Sequence, residues 1–434
     1  MKTIVAISTP IGAGGIGIVR ISGKDARKIA DAVFFKKGQG VGDILLQNPL
    51  KMTFGTFKGI DFNDKGYAVF FPENKSFTGE DTVEFYLHGG VRIMKGAVET
   101  ILQQGAVPAE AGEFTRRAYI SGKLKLSEAE SLGNLLEARS ESQLTLARGG
   151  MKGRLSSKMD ELYLRLRTVL TNIYAVIDFP DEDLSEMSRE EIEGELAVVA
   201  GEIAKLANTY GTGRAINEGI PTVICGRTNA GKSSVYNRLL GYDAAIVTDI
   251  EGTTRDVLKE QASVGKVTLV LCDTAGIRKT DDRVESIGIE RAIGEIDASE
   301  LALAVFDASA ALTDEDTELI ERLMGQGKAC IALLNKSDLV ANTQTVERVR
   351  GSFEHCLDVC ADSGEGFDAL ADLINELFID GSIDMDNDAI VTGARQFADL
   401  TVAQECLGEA IEQLEYGIPF EVHVYSAHRT PLEA

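Results

Sequence analysis

Four short runs fall in a fixed order within one stretch of the chain: GRTNAGKS (Gly226 to Ser233), GTTRD (Gly252 to Asp256), DTAG (Asp273 to Gly276) and NKSD (Asn335 to Asp338). The first constrains the fold most. Two glycines, Gly226 and Gly231, let the backbone curl so that successive N–H groups face one anion, while Lys232 and the Ser233 hydroxyl supply a cation and a Mg²⁺ ligand. Such a loop needs a buried strand before it and a helix after it. The apolar run Thr222 to Cys225 predicts the strand and Ser233 to Leu240 the helix, whose positive end faces the same anion.

The other runs narrow the ligand. Val267 to Cys272 reads as a second buried strand, which sets Asp273 at its C-terminal end for the Mg²⁺ shell and the Gly276 N–H toward a γ-phosphate. Cys330 to Leu334 reads as a third, followed by Asp338. Both oxygens of that carboxylate can accept from the N1–H and 2-amino group of guanine. Adenine lacks the donor pair and leaves the carboxylate unpaired, so the set points to GTP hydrolysis.

At 434 residues and 44% apolar content, the chain has room for two to four packed domains. Pro10 and several glycines break the uncharged stretch Thr3 to Val19, so neither a signal peptide nor a membrane span is expected, and a cytoplasmic location is. The six cysteines (225, 272, 330, 356, 360, 406) show no paired spacing and read as core thiols; His355, Cys356 and Cys360 lack the second pair of a metal set. Net charge is −24, yet residues 1 to 167 hold 24 Lys+Arg against 18 Asp+Glu. A polyanion that binds this chain therefore meets the N-terminal third.

Texture divides the sequence. Short alternating runs such as GIVRIS (Gly17 to Ser22) and YAVFF (Tyr67 to Phe71) predict a mixed α/β domain over 1–120. From Ser127 to Ile177, leucines such as Leu132, Leu135, Leu136, Leu144, Leu146, Leu155, Leu162, Leu166 and Leu170 follow helical spacing with scarcely a breaker. Helix resumes near Glu190 and again over Arg395 to Leu414. A nucleotide-binding domain at 218–379, inserted into a helical domain of 121–217 and 380–434, accounts for this order. Gly12, Gly14 and Gly17 spell the dinucleotide fingerprint, but Ile18 to Ser22 alternates as a strand where that fingerprint needs a helix.

Hydrolysis needs a group to position water. The residue after DTAG is Ile277, which cannot hydrogen-bond; the acidic candidates nearby are Asp281, Asp282, Glu285 and Glu290. No arginine finger is evident. Asn229, with backbone carbonyls of the loop Thr248 to Thr253, offers oxygens for a monovalent cation instead.

From Ile4 to about Leu414 the chain resembles the bacterial tRNA modification GTPases of the MnmE (TrmE) family. Outside the four runs the resemblance rests on GGIGIVRISG (Gly14 to Gly23), SFTGED (Ser76 to Asp81), HGG (His88 to Gly90), GEFTRRAYISGKL (Gly112 to Leu124), IDFPDED (Ile177 to Asp183) and VESIGIERA (Val284 to Ala292). It implies a multidomain α/β plus all-α chain. An N-terminal α/β domain binds folate and dimerises; a helical bundle carries an inserted Ras-like P-loop G domain, its mixed and mostly parallel sheet flanked by helices on both faces. It implies K⁺-dependent GTP hydrolysis coupled to aminomethyl-type modification at C5 of the wobble uridine of tRNA. The implied partners are the flavoprotein MnmG, in a heterotetramer, and tRNA, with no membrane; the implied cofactors are GTP, Mg²⁺, K⁺ and a reduced folate (5,10-methylene- or 5-formyl-tetrahydrofolate).

Residue by residue, the resemblance puts K⁺ on Asn229, Thr248, Ile250 and Thr253, Mg²⁺ on Ser233 and Thr254, and selects Glu285 to position water. Around GTP it sets Asn229, Ala230, Gly231, Lys232, Ser233 and Ser234 of the phosphate loop, and Thr248, Asp249, Ile250, Glu251, Gly252, Thr253 and Thr254 of the next. Asp273, Thr274, Ala275 and Gly276 follow, then Asn335, Lys336, Ser337 and Asp338, and finally Cys360, Ala361 and Asp362 at the base. Arg20, Glu84 and Lys123 form the implied folate site, cations for a glutamate tail and a carboxylate for pterin donors.

Two departures stand out. The base loop reads CADSGEG (Cys360 to Gly366) where the family has a Ser-Ala start, and the chain ends YSAHRTPLEA (Tyr425 to Ala434) where the family closes on Cys-x-Gly-Lys. The expectation is an active tRNA-modifying enzyme whose C-terminal part is truncated or divergent. The alternatives are a GTP-switched binding protein without the modification chemistry and an Era-like ribosome-assembly GTPase.

Overall fold

The computed structural model describes residues 1–178, 187–241, 260–272, 296–325 and 327–416, which form two compact units divided after Glu130. In the first unit the alternating runs become strands: β1 (Ile4–Ile7), β2 (Gly14–Ser22), β3 (Phe34–Lys36), β4 (Gln39–Gly40), β5 (Thr53–Lys58), β6 (Asn63–Phe71), β7 (Thr82–Gly89) and β8 (Val107–Pro108). They build an eight-stranded sheet in the order β4-β3-β5-β6-β7-β2-β1-β8, antiparallel except where β1 meets β8.

One face of this sheet is dry. Val19, Ile21, Val83, Phe85 and Leu87 pack there against Ile29 and Ala30 of α1 (Ala26–Val33) and Met94, Ala97 and Ile101 of α3 (Val91–Gln103), with α2 (Gly42–Gln47) adding Leu45. Each of the larger of these side chains contributes about 1.5–3 kcal/mol by leaving water, against near zero for an exposed ion pair such as Arg92–Asp61. Burial therefore sets the register. The glycine fingerprint is spent on packing: Gly14 and Gly17 lie within β2, and a Cβ on Gly17 would stand 2.4 Å from the Met94 sulfur. No phosphate-binding turn forms there. Two further helices, α4 (Glu113–Ile120) and α5 (Leu126–Glu137), close this part of the chain.

The helical stretch from Ser127 folds as three helices, where the leucine spacing suggested scarcely a break. After α5 come α6 (Glu141–Met151) and α7 (Arg154–Asp178). Ser140 stops the first run by capping α6, its side chain accepting from Gln143 N while the Gln143 side chain accepts from Ser140 N. Gly153, at φ +70°, separates α6 from α7. Leu136 stays 80% exposed and Leu144 40%, so the leucine stripe is wider than the core it feeds.

The bundle core is built by Leu155, Leu162, Leu166, Val169 and Ile173 of α7, Ile192, Leu196, Val199 and Ile203 of α8 (Arg189–Asn208), and Leu400, Ala403, Leu407 and Leu414 of the helix Ala394–Glu415. That last helix lies beyond the nucleotide motifs in sequence yet packs beside α8. The segment between them is an insertion, entered through α9 (Tyr210–Asn217). Its two ends are pinned together: Val391 N donates to Thr209 Oγ1 at 3.0 Å and Asp380 N to Thr212 Oγ1 at 2.9 Å.

Inside the insertion, β9 (Ile220–Cys225), β10 (Glu260–Val264), β11 (Val267–Leu271), β12 (Leu301–Asp307), β13 (Ala329–Asn335) and β14 (His355–Asp358) form a six-stranded sheet ordered β10-β11-β9-β12-β13-β14. Only the β10–β11 pair is antiparallel. Buried residues on both faces explain why these strands read as unbroken apolar runs. Cys225 and Cys330 lie among them, and burial pushes both thiols up to about 12. Residues 417–434, including the atypical tail, lie outside the described residues, as does the IDFPDED segment from 179 on.

The insertion joint is closest at Gly213, where a Cβ would stand 2.0 Å from the Val391 carbonyl oxygen. Gly213→Val is therefore expected to cost about 2–3 kcal/mol by forcing the joint apart. A urea unfolding series of the full chain checks this; an unchanged midpoint would show that the joint gives way freely.

Candidate functional site

The phosphate loop leaves the C-terminal end of β9 and enters α10 (Lys232–Gly241) at Lys232. Gly226 takes φ +146° and Gly231 φ +102°, and neither tolerates a side chain: added Cβ atoms would stand 2.3 Å from the Val305 carbonyl oxygen and 2.0 Å from Asn335 Nδ2. Asn229 also holds a left-handed conformation, φ +65°, with an exposed side chain. Lys232 folds over its own loop, Nζ donating to the carbonyl oxygens of Gly226 and Arg227 at 2.8 Å each. Burial lowers the pKa of this ammonium below the usual lysine range. A neighbouring anion would restore it, and the N-terminus of α10 favours an anion in the same place.

NKSD begins at the end of β13. Asn335 is buried, Nδ2 donating to Ala230 O at 3.0 Å and Oδ1 accepting from Ala361 N at 3.1 Å. One side chain thus ties the phosphate loop to the base loop. Asp338 is exposed, and the Cys360 thiol donates to its Oδ1 at 3.3 Å. A cysteine here places a hydrogen-bond donor on the Asp338 carboxylate. Ser337 N donates to Val359 O at 3.2 Å, and Ser233 and Ser234 open α10, the first exposed.

Several residues at this site escaped the motif reading. Arg238, on the α10 face, donates to Ala361 O at 2.9 Å and also to Asp362 O. Asp307, at the end of β12, accepts from Lys336 Nζ at 2.6 Å and from Ser309 Oγ at 2.6 Å. Burial alone would raise the Asp307 carboxyl, but the Lys336 and Ser309 hydrogen bonds outweigh it and hold the group below the usual carboxylate range. Its one sequence signal is a carboxylate closing a wholly buried strand, LALAVFD, the same position argued for Asp273. Nothing in spacing announces Arg238, whose partners lie more than a hundred residues away.

The first unit gathers a second polar cluster. Arg20 on β2 and Glu84 on β7 are register partners, with Arg20 Nε donating to Glu84 Oε1 at 2.7 Å. Tyr86 OH donates to Glu84 Oε2 at 2.7 Å, and the Phe114 ring centroid lies 5.5 Å from the Arg20 guanidinium carbon. Burial, then the bond to Glu84, pushes the Tyr86 phenol up to about 12. Lys123 does not join this pair by a hydrogen bond; its Nζ donates to Asn74 O at 2.9 Å. Beside them three of the quoted segments interlock: Ser22 Oγ donates to Glu80 Oε2 at 2.8 Å, and the same oxygen accepts from Arg117 Nη1 at 2.8 Å. Arg117 is 5% exposed and also reaches Glu113 and Lys2 O, so the sequence GEFTRRAYISGKL is anchored from within.

Thr248, Asp249, Ile250, Glu251, Gly252, Thr253, Thr254, Asp273, Thr274, Ala275, Gly276 and Glu285 lie outside the described residues. Of the expected Mg²⁺ and K⁺ ligands, Ser233 and Asn229 are described, and both face solvent at the phosphate loop.

Comparison with known proteins covers both units. Residues 3–123 match the family model described as "GTP-binding protein TrmE N-terminus", and residues 126–429 that described as "MnmE helical domain". A tRNA modification GTPase MnmE of Clostridioides difficile (strain 630) is 36% identical over 422 residues, covering 96% of this chain and 91% of that one. Proteins of the same description from Lactobacillus helveticus (strain DPC 4571) and Bacillus thuringiensis (strain Al Hakam) are each 37% identical, over 423 and 435 residues. They cover 97% and 99% of this chain, and it covers 90% and 93% of them.

Two outcomes follow from the geometry. Asn335→Ala leaves Ala230 O and Ala361 N buried without their partner, and is expected to cost about 2–4 kcal/mol of stability together with most of the affinity for a fluorescent GDP. Equal GDP binding by parent and variant would refute the linkage. The Tyr86 phenol is raised above its unfolded value of 10.0, so its contribution is full below about pH 10 and is lost as pH rises through about 12. In an alkaline titration followed by tyrosinate absorbance, one of the chain's ten tyrosines should ionise last, and Tyr86→Phe should remove that phase.

Proposed function

The chain belongs to the MnmE family of tRNA modification GTPases, and from that premise we propose that it hydrolyses GTP with K⁺ and couples the cycle to modification of the wobble uridine of tRNA. The observation that carries the reading is the Asn335 bridge, which holds a phosphate loop with left-handed Gly226, Asn229 and Gly231 at a fixed spacing from a loop that selects guanine.

Each residue takes a part that its chemistry supports. Lys232 and the N-terminus of α10 bind the β- and γ-phosphates, and Asp338 accepts from guanine, steadied by the Cys360 thiol. Ser233 and Thr254 hold Mg²⁺; Asn229, with Thr248, Ile250 and Thr253, holds K⁺. These ions supply positive charge where the γ-phosphate breaks away, in place of an arginine finger. Glu285 orients the attacking water, because Ile277 cannot.

In the first unit, the Arg20–Glu84 pair and Lys123 take a reduced folate. Arg20 and Lys123 attract its glutamate tail. Glu84, whose two oxygens already serve Arg20 and Tyr86, retains lone pairs for pterin N–H groups. The remaining parts of the proposal are an inserted G domain at 218–379, a homodimer through the N-terminal domain, MnmG as the flavoprotein partner and a cytoplasmic location. Among the described residues no helix is long and apolar enough to cross a membrane.

The kinetic test compares GTP turnover in K⁺ and in Na⁺ for the parent, Asn229→Ala and Glu285→Ala. K⁺ should stimulate the parent; Glu285→Ala should lose about 100-fold in kcat and Asn229→Ala should lose the K⁺ response. If both variants hydrolyse GTP like the parent in either salt, the catalytic assignment is wrong. For the modification itself, tRNA incubated with the chain, MnmG, GTP and methylene-tetrahydrofolate should gain mass on its wobble nucleoside, and Arg20→Ala should abolish the gain while sparing GTP hydrolysis.

A further inference from the structure

Asp307 belongs to none of the four nucleotide runs, yet two of them meet on its carboxylate. It closes β12 and is 8% exposed. Oδ1 accepts from Ser309 N at 3.0 Å and Ser309 Oγ at 2.6 Å, which fixes the plane of the group. Oδ2 then faces two cations: Lys336 Nζ, of NKSD, at 2.6 Å and Arg227 Nη2, of GRTNAGKS, at 4.0 Å. Arg227 also lies in an ion pair, its Nε 3.1 Å from Oδ2 of Asp316, a residue 2% exposed that completes the capping box of the helix Asp314–Met324.

The backbone adds an independent sign. Lys336 sits at φ +64°, left-handed, a conformation that a residue with a Cβ keeps only where its surroundings over-determine it. The ion pair with Asp307 is such a surrounding.

We propose that Asp307 is a positioning residue for nucleotide binding, setting Lys336 of NKSD and Arg227 of the phosphate loop at one fixed spacing before GTP arrives. The inference rests on the reading of this loop pair as the GTP site. In this reading Asp307 acts through those two side chains, not through a contact of its own with the nucleotide. Asn335 braces the phosphate loop against the Ala361 loop through backbone atoms, whereas Asp307 joins NKSD to the phosphate loop through side chains.

A double-mutant cycle in the full chain tests this, using Asp307→Asn, Lys336→Met and their combination, with affinity for a fluorescent GDP and the kcat and KM for GTP as readouts. Asp307→Asn should weaken GDP binding by about tenfold or more and raise KM similarly, while kcat falls by less than about threefold. The double variant should be no weaker than the weaker single variant, because both act through one bond. Asp307→Glu, which keeps the charge but moves it by a methylene, should fall between parent and Asp307→Asn, and serves alone if Asp307→Asn does not fold. Parental GDP affinity in Asp307→Asn or Asp307→Glu, a loss confined to kcat or to melting temperature, or independent multiplication of the two single effects would each overturn the proposal. A parent chain that neither binds GDP nor hydrolyses GTP would instead sink the GTPase reading on which it rests.

Discussion

A single buried amide holds the nucleotide site together. Asn335 gives a hydrogen to the Ala230 carbonyl and takes one from the Ala361 N–H, joining loops more than a hundred residues apart in the chain. In the dry interior an unpaired amide or carbonyl costs about 1–3 kcal/mol, so the arrangement is nearly all-or-none. Gly231 exists to let this happen, since any Cβ there would collide with the Asn335 amide.

The same economy governs how the sheet is attached to the helices. The insertion enters and leaves at one place, where Thr209 and Thr212 accept from the returning backbone and Gly213 lets it pass at contact distance. Gln143 adds a third tie. Its side-chain oxygen caps α6, and its amide donates to Ile216 O at 3.1 Å and Thr268 Oγ1 at 3.2 Å, reaching from a bundle helix to the root of β11. Arg214 pairs with Glu300 just ahead of β12. Polar contacts and a small apolar cluster of Leu146, Ile216 and Ile390 together hold the joint between the bundle and the sheet.

Much of this was legible beforehand. Strands at Thr222, Val267 and Cys330 declared themselves as unbroken apolar runs because parallel strands are buried on both faces, and the phosphate loop declared itself because few other loops need two glycines and a lysine at that spacing. The long helical stretch was readable in kind but not in its breaks. Periodicity reports which face is apolar, while the end of α5 is decided by the Ser140 cap and that of α6 by Gly153. Arg238 and the long reach of Gln143 were not legible, and Asp307 only as the carboxylate that closes a buried run: each is an ordinary polar residue whose importance lies in a partner elsewhere in the chain.

By itself, then, the order of residues determined the chemistry the chain is equipped for, since motif, spacing and strand type are local and a phosphate loop cannot be built from other letters. It also determined that Gly14 and Gly17 lie in a strand, because alternation outweighs a three-glycine pattern. Only tertiary structure decided how the pieces are held at working distance: Arg20 opposite Glu84 through strand register, Asn335 between two loops, Lys336 turned onto Asp307. Those contacts depend on the folding back of the chain, and burial decides their strength by removing the water that would otherwise compete for every one of them.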